Sequence, residues 1–260
     1  MKTFIFAMLA LLATVSSFAE IRMDKVTYKQ GDAELEGYLV YNPALTGKVP
    51  GVVLVHDWMG VGEYVQMRAR QIAEMGYVAF VADIYGKGVR PTNTQEASKQ
   101  AGIYRGDRPL LRARARAAFD QLVGSGKVDA GRIAAIGYCF GGGTALELAR
   151  SGAPLAGVIS FHGNLDTPHP EDAKQIKGKV LVLHGADDPF VNAAAVEAFQ
   201  KEMKDAHADW EFTAYGGAVH AFTQKGAGDD PSKGAAYNAS ADARSFERMK
   251  SFFTEIFNKK

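Results

Sequence analysis

The sequence has a single cysteine, Cys139, among its 260 residues. An intramolecular disulfide and a cysteine-based zinc cluster are therefore both excluded. The formal net charge is only +1 and no basic block interleaved with aromatic residues occurs, so nothing indicates a nucleic-acid partner. No spacing of histidine, aspartate and glutamate residues is typical of a metal site. The chain is nevertheless long enough to bury a substantial core without metals or disulfides.

The N-terminal segment is typical of a secretory signal peptide. Lys2 supplies a short positive region, and the apolar run that follows is too short to cross a bilayer comfortably. Ser17 and Ala19 put small residues at the −3 and −1 positions of a cleavage site, which predicts removal of residues 1–19 before Glu20. An uncleaved anchor is the alternative. Cleavage predicts an exported protein, periplasmic or secreted, with no membrane attachment afterwards.

Apolar runs alternate with helical patterns through the rest of the chain. After an opening strand pair, strands are predicted at residues 51–56, 77–82, 132–136, 155–161, 179–184 and 210–215. Helices are predicted between them, including residues 64–75, 95–102 and 193–205. This alternation predicts an α/β fold with a mostly parallel sheet and helices on both faces. No repeat, linker or composition break marks a second domain, so residues 20–260 are expected to form one domain.

Cys139 lies in a pattern typical of a nucleophile elbow. Residues 137–142 read Gly-Tyr-Cys-Phe-Gly-Gly, directly after the apolar run that ends at Ile136. The flanking glycines permit the strained turn that lifts a side chain clear of the sheet. The helix predicted to follow, from Thr144 to Arg150, favours a thiolate through its positive end. A buried structural cysteine beside a glycine-rich turn is the alternative interpretation.

A cysteine nucleophile needs a base, and that base needs an orienting acid. In α/β-hydrolases the chain order is nucleophile, acid, base, with the acid and base on loops after late strands. The predicted strand at residues 179–184 is followed by Asp187 and Asp188, and the glycine-containing loop after the next strand carries His220. Order and placement therefore predict a triad of Cys139, one of these two carboxylates and His220.

The other polar candidates carry less weight. His162 follows an earlier strand, and His184 is expected to pack beneath the acidic turn. Arg108, Arg112 and Arg116 lie four residues apart on one helix face. This row predicts a solvated face rather than an anion site.

Two backbone N–H groups are expected to form an oxyanion hole. One belongs to Phe140, the residue after the nucleophile, and the other to Trp58, in the loop after the first buried parallel strand. Asp57 then lies close to the nucleophile and is predicted to modulate the thiol. Tyr85, at the end of the next strand, is a candidate substrate contact, with a packed tyrosine as the alternative.

These segments together resemble the dienelactone hydrolase family (carboxymethylenebutenolidase-like) over residues 25–257. The resemblance is carried by His-Asp-Trp-Met-Gly at 56–60, Ala-Asp-Ile-Tyr-Gly at 82–86, Gly-Tyr-Cys-Phe-Gly-Gly at 137–142, Ala-Asp-Asp-Pro-Phe-Val at 186–191 and Val-His-Ala-Phe at 219–222. It implies an α/β-hydrolase sheet of eight or slightly fewer strands, a Cys-Asp-His triad and no cofactor. It also implies that Asp188, rather than Asp187, is the orienting acid.

The sequence departs from the family pattern at three positions. Where the dienelactone enzymes carry a glutamate that helps to activate the thiol, this sequence has Asp57. Those enzymes hold the substrate carboxylate with two arginines. In this sequence one arginine position is occupied by Gln224, and the other falls near Glu96 by alignment. Arg90 or Arg105 could substitute. The departures predict a preference for neutral small esters or lactones over carboxylated analogues.

The sequence therefore predicts an α/β-hydrolase that cleaves small activated esters or lactones through a thioester acyl-enzyme. A thioesterase or acyltransferase with the same triad is one alternative, and it would be accelerated by an added alcohol or amine. A non-catalytic binding protein on this fold is the other. It would show no stoichiometric labelling of Cys139 by an activated ester.

Overall fold

Eight strands form one sheet in residues 20–258, the part of the chain that the computed structural model describes. In chain order they are β1 (Arg22–Gln30), β2 (Ala33–Tyr41), β3 (Val49–Val55), β4 (Val78–Ala82), β5 (Val128–Tyr138), β6 (Gly157–Phe161), β7 (Lys179–Gly185) and β8 (Trp210–Tyr215). The spatial order is β1-β2-β4-β3-β5-β6-β7-β8. The pairings of β1 with β2 and of β2 with β4 are antiparallel and the rest are parallel, which confirms the predicted sheet. The predicted signal segment, residues 1–19, lies outside the described residues.

Six α-helices cover the two faces of the sheet within the same described range. They are α1 (Glu63–Glu74), α2 (Thr94–Gly106), α3 (Arg108–Gly124), α4 (Phe140–Arg150), α5 (Ala193–Asp205) and α6 (Ala239–Phe257). Helices α1 and α6 share a buried core with one face, and α2 to α5 pack on the other. Short 3₁₀ turns occur at Pro170–Gln175, Lys225–Ala227 and Pro231–Lys233. In this part of the chain no helix combines the length and the apolar character that crossing a membrane requires.

Strand β3 shows why an all-apolar run becomes the centre of the sheet. Val53 and Val55 pack into the core beneath α3 and α4, whereas Val52 and Leu54 pack into the core beneath α1 and α6. All four side chains are fully buried. Because both faces of the strand are covered, alternation with polar residues is absent, and each such side chain stabilises the fold by about 1.5–3 kcal/mol.

Helix α2 is longer than the segment predicted at residues 95–102. Asn93 Oδ1 accepts the Glu96 N–H at 2.9 Å, and Glu96 Oε2 accepts the Thr92 N–H at 2.8 Å, so the side chains cap the helix start reciprocally. Ala97, Ala101 and Tyr104 are buried and anchor one side of the helix. The glycines near its end lower the helix propensity of the sequence, and tertiary packing stabilises the helix instead.

The arginine row on α3 is a partly buried ion-pair network. Arg108 Nη2 lies 2.8 Å from Asp166 Oδ2, and Arg112 Nε lies 2.8 Å from Glu147 Oε2. Arg108 is buried and Arg112 is partly buried, whereas Arg116 is half exposed. The predicted solvated face is therefore wrong for the first two arginines. The reason is that α4 packs alongside α3 and brings Glu147 against it.

Candidate active site

Cys139 occupies the sharp turn between β5 and α4. Its backbone has φ 54° and ψ −118°, a conformation that non-glycine residues rarely adopt and that costs about 1–3 kcal/mol. A Cβ on Gly137 would lie 2.0 Å from the Gly141 carbonyl oxygen, and a Cβ on Gly141 would lie 2.4 Å from the His56 and Val55 oxygens. The two glycines are therefore required by the close approach of backbone segments, which together hold the strained turn in place.

Substituting Gly141 with alanine is expected to destabilise the fold by about 3 kcal/mol or more, because the added methyl group meets backbone atoms that cannot move aside. Urea unfolding followed by circular dichroism measures the change. Gly124→Ala is the matched control, since Gly124 ends α3, is exposed, and has no atom within 4 Å of an added Cβ. Equal stability of the two variants would contradict this account of the elbow.

His220 lies between Cys139 and Asp188. Its Nε2 is 3.1 Å from Cys139 Sγ, and its Nδ1 is 2.8 Å from Asp188 Oδ2. Asp188 Oδ1 in turn accepts the backbone N–H groups of Phe190 at 2.8 Å and Val191 at 3.2 Å. The acid follows β7 and the histidine follows β8, so the ends of three parallel strands bring the three residues together.

The electrostatics of this arrangement favour a positive charge on His220. Burial opposes that charge, but a thiolate at Cys139 and the hydrogen bonds to Asp188 and Cys139 outweigh it and raise the pKa of His220 to about 10. Burial also opposes a charge on Asp188, yet the hydrogen bond and charge of His220 and two backbone N–H groups bring its pKa below the ordinary value. His220 is therefore protonated at neutral pH and lies against the Asp188 carboxylate.

The titration of His220 is expected to depend on the sulfur. In the wild-type protein the imidazole should lose its proton only near pH 10. In Cys139→Ala the neighbouring negative charge is gone, so the pKa should fall and more of the ring should be neutral at pH 8. Nitrogen-15 NMR of histidine-labelled protein measures both titrations. Identical curves would show that the sulfur carries no charge beside His220.

The proposed oxyanion donors face no competing acceptor. Phe140 is the first residue of α4, and the first N–H groups of a helix have no partner within it. Within residues 20–258 the Trp58 N–H likewise donates to no protein acceptor. His56 fixes the peptide that carries it: Nε2 accepts the Ile84 N–H at 3.2 Å, so Nδ1 carries the proton and donates to the Asp57 carbonyl at 2.6 Å.

Asp57 and Tyr85 are both engaged with the loop that follows β3. Asp57 accepts the Met59 N–H at 2.7 Å and the Gln224 amide at 2.7 Å, and burial raises its pKa. These contacts fix both carboxylate oxygens, one to the backbone of the same loop and the other to Gln224. The Tyr85 hydroxyl donates to the Trp58 carbonyl at 2.9 Å, and the ring is buried outside the cavity. This placement matches the packed tyrosine rather than the substrate contact.

A cavity of about 1080 Å³ opens beside Cys139 and His220. Its walls come from α1, α2 and the loops after β3, β6, β7 and β8. Residues of α2 that line it are Thr94, Ser98, Ala101, Gly102, Arg105 and Gly106. Of the two arginines considered as substitutes for the carboxylate clamp, only Arg105 lines the cavity, because Arg90 donates to the carbonyls of Gly86 and Val89. Glu96, at the other aligned arginine position, caps the start of α2 and is not among the residues that line the cavity.

His162 is the residue that the sequence reasoning undervalued. It directly follows β6, the neighbour of β5, and its Nδ1 accepts the Cys139 backbone N–H at 3.2 Å. The ring is fully buried and meets the ring of His220 edge-on at 5.4 Å between centroids. The available signal was position: a polar residue at the carboxyl end of a strand adjacent to the elbow strand shares its edge. His184 is buried and packs against Phe212 of β8.

The chain as a whole is similar to known proteins of one family. The model of the family described as "Dienelactone hydrolase family" matches residues 35–257. A Bradyrhizobium sp. protein named "Probable 2-oxo-3-(5-oxofuran-2-ylidene)propanoate lactonase" is 28% identical over 211 residues, which are 78% of this chain and 84% of that protein. The solved structure named m3DLH is 42% identical with a TM-score of 0.88. A dienelactone hydrolase-like promiscuous phosphotriesterase from metagenomic libraries is 38% identical with a TM-score of 0.86. Each structural match covers 92% of this chain and 99% of the other.

The sheet order and the cavity at the carboxyl edge of its parallel strands define an α/β-hydrolase. The family match extends over nearly all of the described residues. The chain belongs to the dienelactone hydrolase family and is a lactone or ester hydrolase. The fold and the family expected from the motifs are confirmed.

Proposed function

We propose that the protein hydrolyses small activated esters or lactones with Cys139 as nucleophile, His220 as base and Asp188 as orienting acid. The observation that carries the proposal is the continuous hydrogen-bonded line from Cys139 Sγ through His220 to Asp188, set at a strained elbow beside the cavity. A structural cysteine would need none of these features.

Acylation begins with the proton of Cys139 on His220. The sulfur attacks the substrate carbonyl carbon, and the carbonyl oxygen takes the negative charge between the N–H groups of Phe140 and Trp58. One such donor contributes about 2.7–4 kcal/mol to lowering the barrier in comparable sites. The intermediate collapses with cleavage of the carbonyl C–O bond, and His220 gives its proton to the departing oxygen. For a lactone, that oxygen stays within the same acyl group.

Deacylation uses the same groups with water as the nucleophile. His220 takes a proton from water, the resulting hydroxide attacks the thioester carbonyl, and the C–S bond breaks to regenerate the thiolate. Asp188 keeps the imidazole oriented and stabilises its charge in both steps. Because a thiolate leaves readily from the first intermediate, substrates with good leaving groups, such as enol-lactones and aryl esters, are favoured.

Neutral substrates are expected to react faster than carboxylated analogues of the same shape. Gln224 stands at one family arginine position and is bonded to Asp57. The two cavity arginines, Arg105 and Arg108, already lie against Asp166. Without a free guanidinium clamp, each missing charged hydrogen bond costs about 1.5–3 kcal/mol, or about tenfold to a hundredfold in kcat/KM.

Paired substrates that differ only in the carboxylate, assayed at low and high salt, measure this preference. Arg105→Gln should leave the rate on the neutral member nearly unchanged, and Arg90→Gln, outside the cavity, is its control. A tenfold advantage for the carboxylated member that disappears in Arg105→Gln would contradict the expectation and would make Arg105 the clamp.

Turnover of p-nitrophenyl esters and enol-lactones tests the proposed reaction. We expect hydrolysis of both classes, with activity lost in step with alkylation of Cys139, the single cysteine of the chain. An added alcohol or amine separates hydrolysis from acyl transfer. A rate that rises well above hydrolysis with the acceptor would favour the acyltransferase alternative, and turnover that survives complete alkylation would contradict the proposal.

Export of the protein also stays a proposal, supported by the signal-like pattern of residues 1–19. In an oxidising compartment the nucleophilic thiol would be exposed to oxidation to sulfenic acid. Cys139 is only partly exposed and lies beside His220, which limits that exposure.

A further inference from the structure

His162 is a buried histidine whose backbone, like that of Cys139, has a positive φ. Its φ is 38°, in the left-handed region, and its ring has no exposed surface. Its N–H donates to the Leu183 carbonyl at 2.8 Å, which ties the residue to the end of β7. A strained, fully buried polar residue persists only where the surrounding contacts determine its position.

The hydrogen bonds of the ring define its protonation state. A backbone N–H can only donate, so Nδ1 of His162 is the acceptor of the Cys139 N–H at 3.2 Å. Nε2 therefore carries the proton and donates to Thr223 Oγ1 at 2.7 Å. Burial and the nearby charge of His220 hold the pKa of His162 well below its ordinary value, which keeps the ring neutral and the Nδ1 lone pair available.

The far end of the ring is anchored to the loop that carries His220. Thr223 lies three residues after His220, and its hydroxyl is also 2.6 Å from the Tyr64 hydroxyl. Arg68 supports this anchor by donating to the Thr223 carbonyl at 3.0 Å. One ring thus contacts the backbone of Cys139 at one nitrogen and the His220 loop at the other.

We propose that His162 is a positioning residue: anchored by Thr223, it holds the backbone of Cys139 so that the sulfur meets His220. The Cys139 N–H is shared between the Phe161 carbonyl at 3.0 Å and His162 Nδ1 at 3.2 Å. The contact with His162 fixes the position of the Cys139 turn relative to the loop that carries His220. The inference rests on the proposed nucleophilic role of Cys139.

The test uses His162→Leu and His162→Asn in the full protein. Leucine removes the acceptor, and a small misplacement of reacting groups costs about tenfold to a hundredfold, so kcat should fall by that factor while KM changes little. Asparagine offers a carbonyl oxygen to the Cys139 N–H and tolerates positive φ, so it should recover most of the loss. The rate of iodoacetamide alkylation, which reports only Cys139, should fall and recover in parallel.

His207→Leu is the matched control. His207 also has a positive φ, 54°, but it is exposed and lies just after α5. It should keep wild-type kcat. A folded His162→Leu variant with wild-type kcat and alkylation rate overturns the proposal. So does a His162→Asn variant whose kcat is no higher than that of His162→Leu. If the leucine variant does not fold, Thr223→Val decides: reduced kcat at unchanged KM supports the anchor, and full activity overturns it.

The outcome also separates this inference from the proposed function. Wild-type turnover that survives complete alkylation of Cys139 removes the nucleophile itself, whatever the His162 variants do. Alkylation that abolishes wild-type turnover, together with an unaffected and folded His162→Leu, leaves the nucleophile in place and removes only the positioning role.

Discussion

Cys139→Ala is expected to reduce turnover by about a factor of 10⁴ or more while leaving the thermal melt nearly unchanged. The substitution removes the only group in the proposed mechanism that forms a covalent bond with the acyl carbon, and the remaining oxyanion donors and cavity supply little rate on their own. The side chain is small and partly exposed, so its loss leaves a negligible cavity. Steady-state hydrolysis of an enol-lactone and a calorimetric melt measure the two effects.

The melt is the control that gives this result its meaning. Unfolding would also abolish activity, and retention of the wild-type melting temperature excludes it. Residual activity above a few per cent of wild type would remove Cys139 from the mechanism and would return the residue to a structural cysteine at a tight turn.

Asp188→Asn should lower kcat by about 10³–10⁴-fold, whereas Asp187→Asn should have a mild effect. Asp188 Oδ2 accepts the proton on His220 Nδ1, and an amide nitrogen there favours the wrong tautomer of the ring. Asp187 is exposed, and its side chain accepts the Gly217 N–H at 3.1 Å, a contact that asparagine can keep through its carbonyl oxygen. The two adjacent residues therefore form a matched pair for steady-state kinetics.

The comparison of these two variants also shows which of the two aspartates orients His220. If Asp187→Asn proved the more damaging substitution, the orienting acid would lie one residue earlier than the geometry indicates. The pH profile gives a second reading, because loss of the Asp188 carboxylate should lower the pKa of His220 and move the alkaline limit of activity downwards.

Much of this fold could be predicted because its strands and the turn at Cys139 follow from short sequence patterns. Buried strands such as β3 are continuous apolar runs, and parallel strands place their carboxyl ends along one edge of the sheet. Cys139, Asp188 and His220 each follow such a strand, so chain order alone indicated that they could meet. The glycines of the elbow added a signal that is tied to backbone conformation rather than to side-chain chemistry.

The remaining features depend on contacts between distant segments, which no local pattern encodes. Arg68 is held by Asp242, 174 residues away, and by the Thr223 carbonyl, 155 residues away. His162 looked like an ordinary strand-end histidine because its partners, Cys139 and Thr223, are brought to it only by the sheet. Their roles follow from tertiary packing and could not be inferred from spacing in the sequence.

Glu96 belongs to a local pattern that the sequence alone contains. A threonine and an asparagine shortly before a glutamate are typical of a helix start, and in the structure Glu96 caps α2 in this way. By alignment the same position corresponds to a substrate-binding arginine of the dienelactone enzymes. The capping contacts hold the Glu96 carboxylate at the helix start, whereas Arg105 of the same helix lines the cavity and lies against Asp166.

Intact mass of the acid-quenched enzyme during turnover of a p-nitrophenyl ester tests the central claim most directly. The account predicts one acyl group per chain, localised by peptide mapping to the peptide that contains Cys139. Hydroxylamine should remove this group, because it cleaves thioesters. Slowing deacylation with His220→Asn, after loading with a highly activated ester, should increase the occupancy. Turnover with no acyl adduct under these conditions, or an adduct on any residue other than Cys139, would contradict it.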